Sequence, residues 1–437
     1  MKKQISGWGN FPSVISEISQ AYNYKVIQDL ISSSKEIIAN GLLRSYGDSA
    51  LLHTSFSCMK LNKLIEFDET KGIIRCQSGV SLADILKIIV PKGWFLPVTP
   101  GTKYITIAGA VASDVHGKNH HKDGTFGNFV LQIKLILPNS EIITCSRSEN
   151  PDIFFAAIGG MGLIGIILEV TFKLKKISST KIIQKTIKAN SLDALFEFFE
   201  KYSNYTYSVS WLDTVSKNEK IGRGLLYLGE HSENINNLEN TFPTPKLSIP
   251  FYFPNFTLNS YTLKTFNTLY YNKEFTEEKN FELHYNNFFY PLDSINNWNR
   301  IYGKRGFAQY QFVIPKFNAI NIIKNILKIM QEYGQYSFLT VLKQFGKEND
   351  FFLSFPMEGY TLAMDFSLNQ KSLEMFKIFD KIILENGGRL YLTKDSRMDS
   401  HFFKKTYANK LTKFLEIKEK VDPENKFKSL QSIRLDI

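Results

Sequence analysis

The chain has 437 residues, 43% of them hydrophobic and 22% charged, with no run of 18 or more apolar residues; this describes a globular protein of two or three domains and leaves out a membrane-spanning helix. Lysine and arginine exceed aspartate and glutamate by 53 − 42 = 11, which favours an anionic partner such as a phosphorylated ligand or an acidic membrane surface; with no dense basic block, it argues against nucleic acid. Cys58, Cys76 and Cys145 are too scattered for a disulfide framework or a zinc site, and MKKQISGWGNFPSV lacks the apolar core of a secretory signal, so a reducing cytoplasm is the expected setting.

In chain order, residues 10–40 are predicted helical, passing into a short apolar strand at EIIANGLL (36–43). SFSCMKL and GIIRCQSG read as strands and SLADILKIIVPKG as a helix. FVLQIKLILPNSEIITC (129–145) predicts a hairpin around Pro-Asn-Ser. PDIFFAAI is helical and IGIILEVTFKLKKI a strand, so residues 1–178 make an α+β unit. Beyond it come a strand, the helix SLDALFEFFEKY and the strands YTYSVSWLD and GRGLLYLG. Residues 229–280, rich in Asn, Pro and Ser, read as a long loop or disordered insertion. Its aromatic part, 249–275, suits core packing better than a mobile lid facing lipid. FAQYQFVIP, NAINIIKNILKIMQEYG, FLTVLKQFG, YTLAMDFSL and KSLEMFKIFDKIILENGG give β-α-β-β-α, the pattern of an antiparallel sheet covered on one face by helices. The strand GRLYLT and a long amphipathic helix over 399–421 close the chain.

GMGLIG (160–165) satisfies G-x-G-x-x-G, but the helix precedes it and the strand follows. A dinucleotide fingerprint needs the reverse order and an acidic residue about 20 positions on, so the run reads as a tight helix-to-strand turn. NGLLRSYGDSA (40–50) offers bare backbone N–H groups and a hydroxyl between Gly41 and Gly47. VTPGTKYITIAGAVASDVHG (98–117) follows Pro-Gly-Thr with a run of small residues that lets something flat lie on the backbone. SDVHGKNHHKDGTFGNF (113–129) holds three of the seven histidines. Its spacing does not put three imidazoles on one face, and no carboxylate or thiolate completes a zinc set, so no metal is expected.

Taken together, RSYGD, PGT with its small residues, DVHGKNHH followed by FGN, and GGMGLIGI resemble the FAD-binding domain of the vanillyl-alcohol-oxidase-type (PCMH-type) flavoproteins. SGWGNFP, SVSWLD, YPLDSINNWNRIYGKRGFAQYQFVIP, LTVLKQFG, LSFP, MDF and GGRLYLTKDSR extend the resemblance, in order from about residue 6 to the end, to the decaprenylphosphoryl-β-D-ribose 2′-oxidase subfamily. The resemblance implies a two-domain α+β fold. Residues 1–178 plus 389–437 would form a discontinuous FAD-binding domain, and 179–388 an antiparallel-sheet substrate domain covered by helices.

The same resemblance implies site roles. Residues 39–49, with Gly41, Arg44, Ser45, Tyr46, Gly47, Asp48 and Ser49, would wrap the FAD pyrophosphate. Gly101, Thr106, Ile107, Ala108, Gly109, His116, Gly117, Lys118, Asn119, Ile167 and Tyr391 would also contact FAD. Lys394, Tyr46, His116, Lys343 and Gln311 would face the sugar and the flavin, with His116, Tyr46 and Lys394 as alternatives for handling the proton. Trp211 and Tyr290 would line the pocket. Asp48 stands where some relatives carry a flavin-tethering histidine, and no cysteine lies near 113–119, so FAD would be held noncovalently. Ala363 stands where some members carry a reactive cysteine, and Thr361 where they carry asparagine; thiol-directed inhibitors should fail and sugar contacts differ. The implied reaction is FAD-dependent oxidation of the 2′-hydroxyl of a polyprenyl-phosphoryl ribose, the first half of an epimerisation completed by a separate NAD(P)H-dependent reductase, with peripheral membrane association as a further expectation. The alternatives are an FAD oxidase of a free sugar or aldonolactone and a cofactor-free basic binding protein.

Overall fold

In the computed structural model, which describes residues 2–234, 238, 247–254 and 257–437, the chain opens with β1 (Lys2–Ser6), β2 (Ser13–Gln20), α1 (Tyr24–Ser33), β3 (Ile38–Asn40) and β4 (Thr54–Ser57). The four strands form one sheet in the order β1-β2-β4-β3, antiparallel between β1 and β2 and parallel elsewhere. Here the helix expected over 10–40 is corrected: it begins only at Tyr24. Burial in SVISEISQ alternates, with Val14 and Ser16 inward and Ser13, Ile15 and Glu17 outward, which is the period of a strand. Asn23 starts the helix, its side chain accepting from Val26 N.

Next come β5 (Leu64–Asp68), β6 (Ile73–Gln77), α2 (Leu82–Ile89), β7 (Trp94–Phe95), α3 (Ile107–Ala112), α4 (His120–Asp123), β8 (Val130–Ile136), β9 (Ile142–Ser146), α5 (Pro151–Ala157) and β10 (Ile166–Lys173). Five of these strands make an antiparallel sheet, β5-β6-β10-β8-β9. GMGLIG joins α5 to β10, helix before strand, as its context in the sequence requires.

The chain continues through β11 (Lys175–Lys176), β12 (Lys181–Ala189), α6 (Leu192–Lys201), β13 (Tyr207–Leu212), β14 (Gly224–His231), β15 (Leu247–Ser248), α7 (Ser260–Asn272), β16 (Glu278–His284), α8 (Tyr285–Phe289), β17 (Ile295–Asn296), β18 (Phe307–Pro315), α9 (Ala319–Glu332), β19 (Thr340–Phe345), β20 (Gly359–Ser367), α10 (Gln370–Glu385) and β21 (Arg389–Leu390). Eight strands build one antiparallel sheet in the order β16-β12-β14-β13-β19-β20-β18-β21. Helices α6, α9 and α10 pack on one face. Tyr310, Phe312 and Ile314 of β18 point toward them, Tyr310 stacking on Phe376 at 5.2 Å. The intervening residues Gln309, Gln311 and Val313 therefore point to the other face.

Part of the expected loop over 229–280 is ordered. Residues 235–237, 239–246 and 255–256 lie outside the described residues, but α7 falls inside the expected loop and β16 begins within it. Asn259 starts α7 with a capping box, its side chain accepting from Tyr261 N and Thr262 N. Of the aromatics expected to pack there, Tyr271 is buried, whereas Phe251, Tyr261 and Phe275 are exposed. The helix expected over 399–421 is two, α11 (Ser400–Thr406) and α12 (Ala408–Val421). They break at Tyr407, whose buried hydroxyl donates to the Leu390 carbonyl at 2.7 Å. With α13 (Leu430–Leu435), the tail returns to the first sheet: Ile37 bridges Phe427, and Lys428 pairs with Glu36 at 2.8 Å.

Candidate active site

A cavity of about 340 Å³ lies between the turns at 39–50 and 100–116, the start of β10, the 391–394 segment and the helix-free face of the eight-stranded sheet. The two turns touch. A Cβ at Gly41 would meet Thr106 Oγ1 at 2.5 Å, and that oxygen is already accepting from Gly109 N, starting α3. Ala108, Gly109 and Ala112 then present a wall without bulk, and a Cβ at Gly101 would meet nothing within 4 Å. Gly47 is packed from behind: a Cβ there would lie 1.8 Å from the Asp395 carbonyl oxygen. Glycine is thus required where the first turn crosses the 393–396 segment.

The sheet supplies the opposite wall by register. Gln311 of β18 stands opposite Ala363 of β20, Ala363 opposite Val341 of β19, and Val341 opposite Trp211 of β13. One row up, Lys343 stands opposite Thr361. Directly opposite residues share a face, so Gln311, Ala363, Val341 and Lys343 all line the cavity.

His116 lies at the centre, 6% exposed. Its Nδ1 is 3.0 Å from Lys343 Nζ and its Nε2 3.1 Å from Gln311 Nε2. Burial, then the charges of Lys343, His120 and Lys394, hold its pKa well below 6.5, so the ring is neutral at neutral pH. A neutral imidazole accepts at one nitrogen only; with Gln311 donating to Nε2, Nδ1 carries the proton and Lys343 must meet it as an amine. Lys343 can do so, because burial, then Lys394 and Lys118, bring its pKa to about 7. Lys394 differs. Its Nζ sits 3.7 Å over the Tyr46 ring; burial lowers its pKa, while the charge of Asp365 acts against that. Burial and Asp365 keep the Tyr46 phenol protonated.

The structure gathers Gly41, Arg44, Ser45, Tyr46, Ser49, Gly101, Thr106, Ala108, Gly109, His116, Ile167, Gln311, Lys343, Ala363, Tyr391 and Lys394 around this one cavity. The other candidates stand behind it. Asp48 is tied to Arg434, Asn119 donates to the Pro97 carbonyl at 2.8 Å, and Lys118 donates to the Phe288 carbonyl. Burial brings Lys118 to about 7. Gly117 backs onto Thr99, and Ile107 is in the core. Tyr290 shares a 2.7 Å hydrogen bond with Thr99, Thr361 accepts from Gln311 at 3.3 Å, and Trp211 packs on Tyr270. The other histidine side chains turn elsewhere: His120 Nδ1 accepts from Gly346 N, and His121 Nε2 faces the Tyr205 carbonyl. Sequence reasoning missed Trp8, Trp298, Gln309 and Val341, which also line the cavity. Only Gln309 and Val341 had a signal, two residues from Gln311 and Lys343 on the same strands.

Residues 36–146 match the family model described as FAD binding domain, and residues 304–434 the one described as D-arabinono-1,4-lactone oxidase. Over 453 aligned residues, covering 100% of this chain and 98% of the relative, the chain is 35% identical to decaprenylphosphoryl-beta-D-ribose oxidase of Mycolicibacterium smegmatis. The chain belongs to the decaprenylphosphoryl-β-D-ribose oxidase family. More distant relatives share a shorter segment: D-lactate dehydrogenase of Anaerostipes hadrus is 32% identical over 123 residues (27% of this chain, 26% of the relative), and Delta(24)-sterol reductase of Mus musculus 27% over 146 (33% and 28%). Family members are FAD-dependent oxidoreductases, and FAD is the cofactor here. The cavity suits it: the wall is bare backbone and small side chains, and the Nδ2 of Asn40, a buried lining residue, has no hydrogen-bond partner among the described residues. Among the described residues, no helix is long and apolar enough to cross a membrane.

Ala363 sits on the cavity wall; Cys76 and Cys145 are fully buried, and Cys58 borders the cavity but is only 6% exposed. Burial pushes Cys58, Cys76 and Cys145 up to about 12. The folded protein should therefore resist iodoacetamide at pH 8, while Ala363→Cys takes up one label. Mass spectrometry after a timed reaction checks this; rapid labelling of the parent would contradict it.

Proposed function

We propose that this enzyme oxidises the 2′-hydroxyl of a polyprenyl-phosphoryl-β-D-ribose to the ketone, as the first half of an epimerisation completed by a separate NAD(P)H-dependent reductase. The observation that carries the reading is the pairing of a neutral His116–Lys343 couple with a second, differently placed cation, Lys394, around one cavity, in a chain alignable end to end with an oxidase of that substrate. FAD, held noncovalently by the 39–49 and 100–119 segments, supplies the hydride acceptor when bound. Lys343, as the amine, turns its single lone pair from the His116 Nδ1–H to the substrate hydroxyl and takes that proton. Lys394 stays ammonium and faces the negative charge that accumulates on reduction. Gln311 presents its amide to the sugar, held from behind by the Thr361 hydroxyl. Trp211 and Tyr290 brace the pocket from behind.

In this reading residues 1–178 and 389–437 form the flavin part, its two segments joined where Arg434 and Lys428 meet Asp48 and Glu36, and 179–388 form the substrate part. The exposed Phe251, Tyr261 and Phe275 and the net charge of +11 support peripheral contact with anionic lipid at the cytoplasmic face.

The test is turnover of polyprenyl-phosphoryl ribose with an electron acceptor. The expected product is two hydrogens lighter and traps hydroxylamine; turnover of free ribose or an aldonolactone instead would overturn the substrate. Because Lys343 must be unprotonated, the rate of flavin reduction should rise with pH through about 7, and Lys343→Met should lower it by about 10²–10⁴-fold. A stopped-flow pH series reads both. A rate independent of pH between 6 and 8 would contradict the assignment.

A further inference from the structure

Three lysines are enclosed in or beside the cavity, and carboxylates do not serve them equally. Burial acts on Lys118, and burial together with Lys394 and Lys118 acts on Lys343, with no carboxylate opposing it at either. Asp365, on the cavity-facing side of β20, is fully buried. Its Oδ1 accepts from Gln309 Nε2 at 2.5 Å and its Oδ2 from the Tyr302 hydroxyl at 3.4 Å, while its backbone N–H donates to Ser337 Oγ at 2.9 Å. These partners are all neutral, and among the described residues no cation makes an ion pair with it. A buried carboxylate held only by neutral donors is costly unless its charge is compensated from further away. Gln309 lines the cavity in front of it, and the cation on that side is Lys394, over the Tyr46 ring.

We propose that Asp365 is a positioning residue for the flavin chemistry: fixed behind the cavity wall by Gln309 and Tyr302, its carboxylate acts through Lys394 and keeps that side chain an ammonium, while Lys343, facing no carboxylate, is left free to act as the base. The groups facing Lys394 are Tyr46, Asp365, His116 and Lys343; those facing Asp365 are Tyr302, Tyr46 and Lys394. Burial raises the Asp365 pKa and lowers that of Lys394, and each charge opposes the shift of the other. The division of labour between the two lysines is thus set by one residue that touches neither substrate nor the flavin.

The inference rests on FAD occupying the cavity but not on the identity of the sugar. Its test is the pH dependence of the midpoint potential of the FAD-loaded full chain, which needs no substrate. The parent curve should break where Lys394 gives up its proton. Asp365→Asn should move the break down by about one pH unit or more. Lys394→Met should abolish it, and adding Asp365→Asn to Lys394→Met should change nothing further. Should Asp365→Asn fail to fold, Asp365→Ser makes the same charge deletion with a smaller side chain. A break unmoved in the Asp365 variant, or shifted equally without Lys394, overturns the proposal. A ribose that is not oxidised leaves this result standing, whereas a chain that takes up no FAD overturns both readings.

Discussion

Replacing Lys394 with Met is expected to slow reduction of the bound flavin by about 10²–10³-fold, the usual effect of removing one preorganised group that meets developing charge, while FAD stays bound. The side chain is held in place by its own segment. Lys394 N donates to the Tyr391 carbonyl at 2.9 Å, and Tyr46 N donates to the Thr393 carbonyl at 3.0 Å, locking the 391–395 turn to the RSYGD turn. The Nζ is 3.7 Å above the Tyr46 ring, a cation–π placement that fixes the ammonium without neutralising it. Met keeps the length and packing of the stem and removes the charge, so the visible spectrum and melting temperature should barely move. Anaerobic stopped-flow reduction measures the loss; a rate within a few-fold of the parent would contradict the role.

The largest expected effect on stability is at Arg434. Its Nη2 lies 2.8 Å from Asp48 Oδ1 and 2.9 Å from Asp395 Oδ2, and its Nε 3.1 Å from Asp48 Oδ2. The two carboxylate side chains are only 4% and 3% exposed. Arg434→Met leaves both buried without a countercharge, which costs about 3–5 kcal/mol where one partner of a buried pair is deleted. It also frees the turn on which Gly47 leans against Asp395, so FAD retention should fall with stability. The pH dependence has a definite sign. Burial already raises the Asp48 pKa, and Arg434 opposes that. Without Arg434 the folded-state value rises further above the unfolded one, so the folded state binds protons more readily and the deficit should be smaller near pH 5 than near pH 8. Denaturant titration at both pH values reads this. A loss below about 1 kcal/mol at pH 8, typical of an exposed pair, would contradict the assignment. Arg434→Lys should restore only part, because an ammonium cannot span both carboxylates as the guanidinium fork does.

Much of this site is legible in short sequence runs because backbone and small residues make it. RSYGD, PGT and the alanine–glycine run need little bulk, and that need is visible in one dimension. The sheet of the second half is legible too, from the alternation of β18 and β20. What escaped depends on partners far away in sequence. Residues 13–20 become a strand because β4, some 40 residues on, pairs with them. The break at Tyr407 follows from the Leu390 carbonyl. Asp365 reads as an ordinary strand residue until Gln309 and Tyr302 are seen to hold it. Trp211 occupies the right row of the sheet but stands one strand beyond the cavity, a distinction that only the register of β13 against β19 makes.

The most direct test of the account is the absorbance of the purified protein before and after anaerobic addition of polyprenyl-phosphoryl ribose. The account predicts flavin bands near ~370 and ~450 nm that leave with the supernatant on denaturation, and loss of the longer band with the lipid-linked sugar but not with free ribose, since the bound cofactor is the hydride acceptor. A yellow protein bleached equally by free sugar, or one that ignores the lipid-linked ribose, would contradict it.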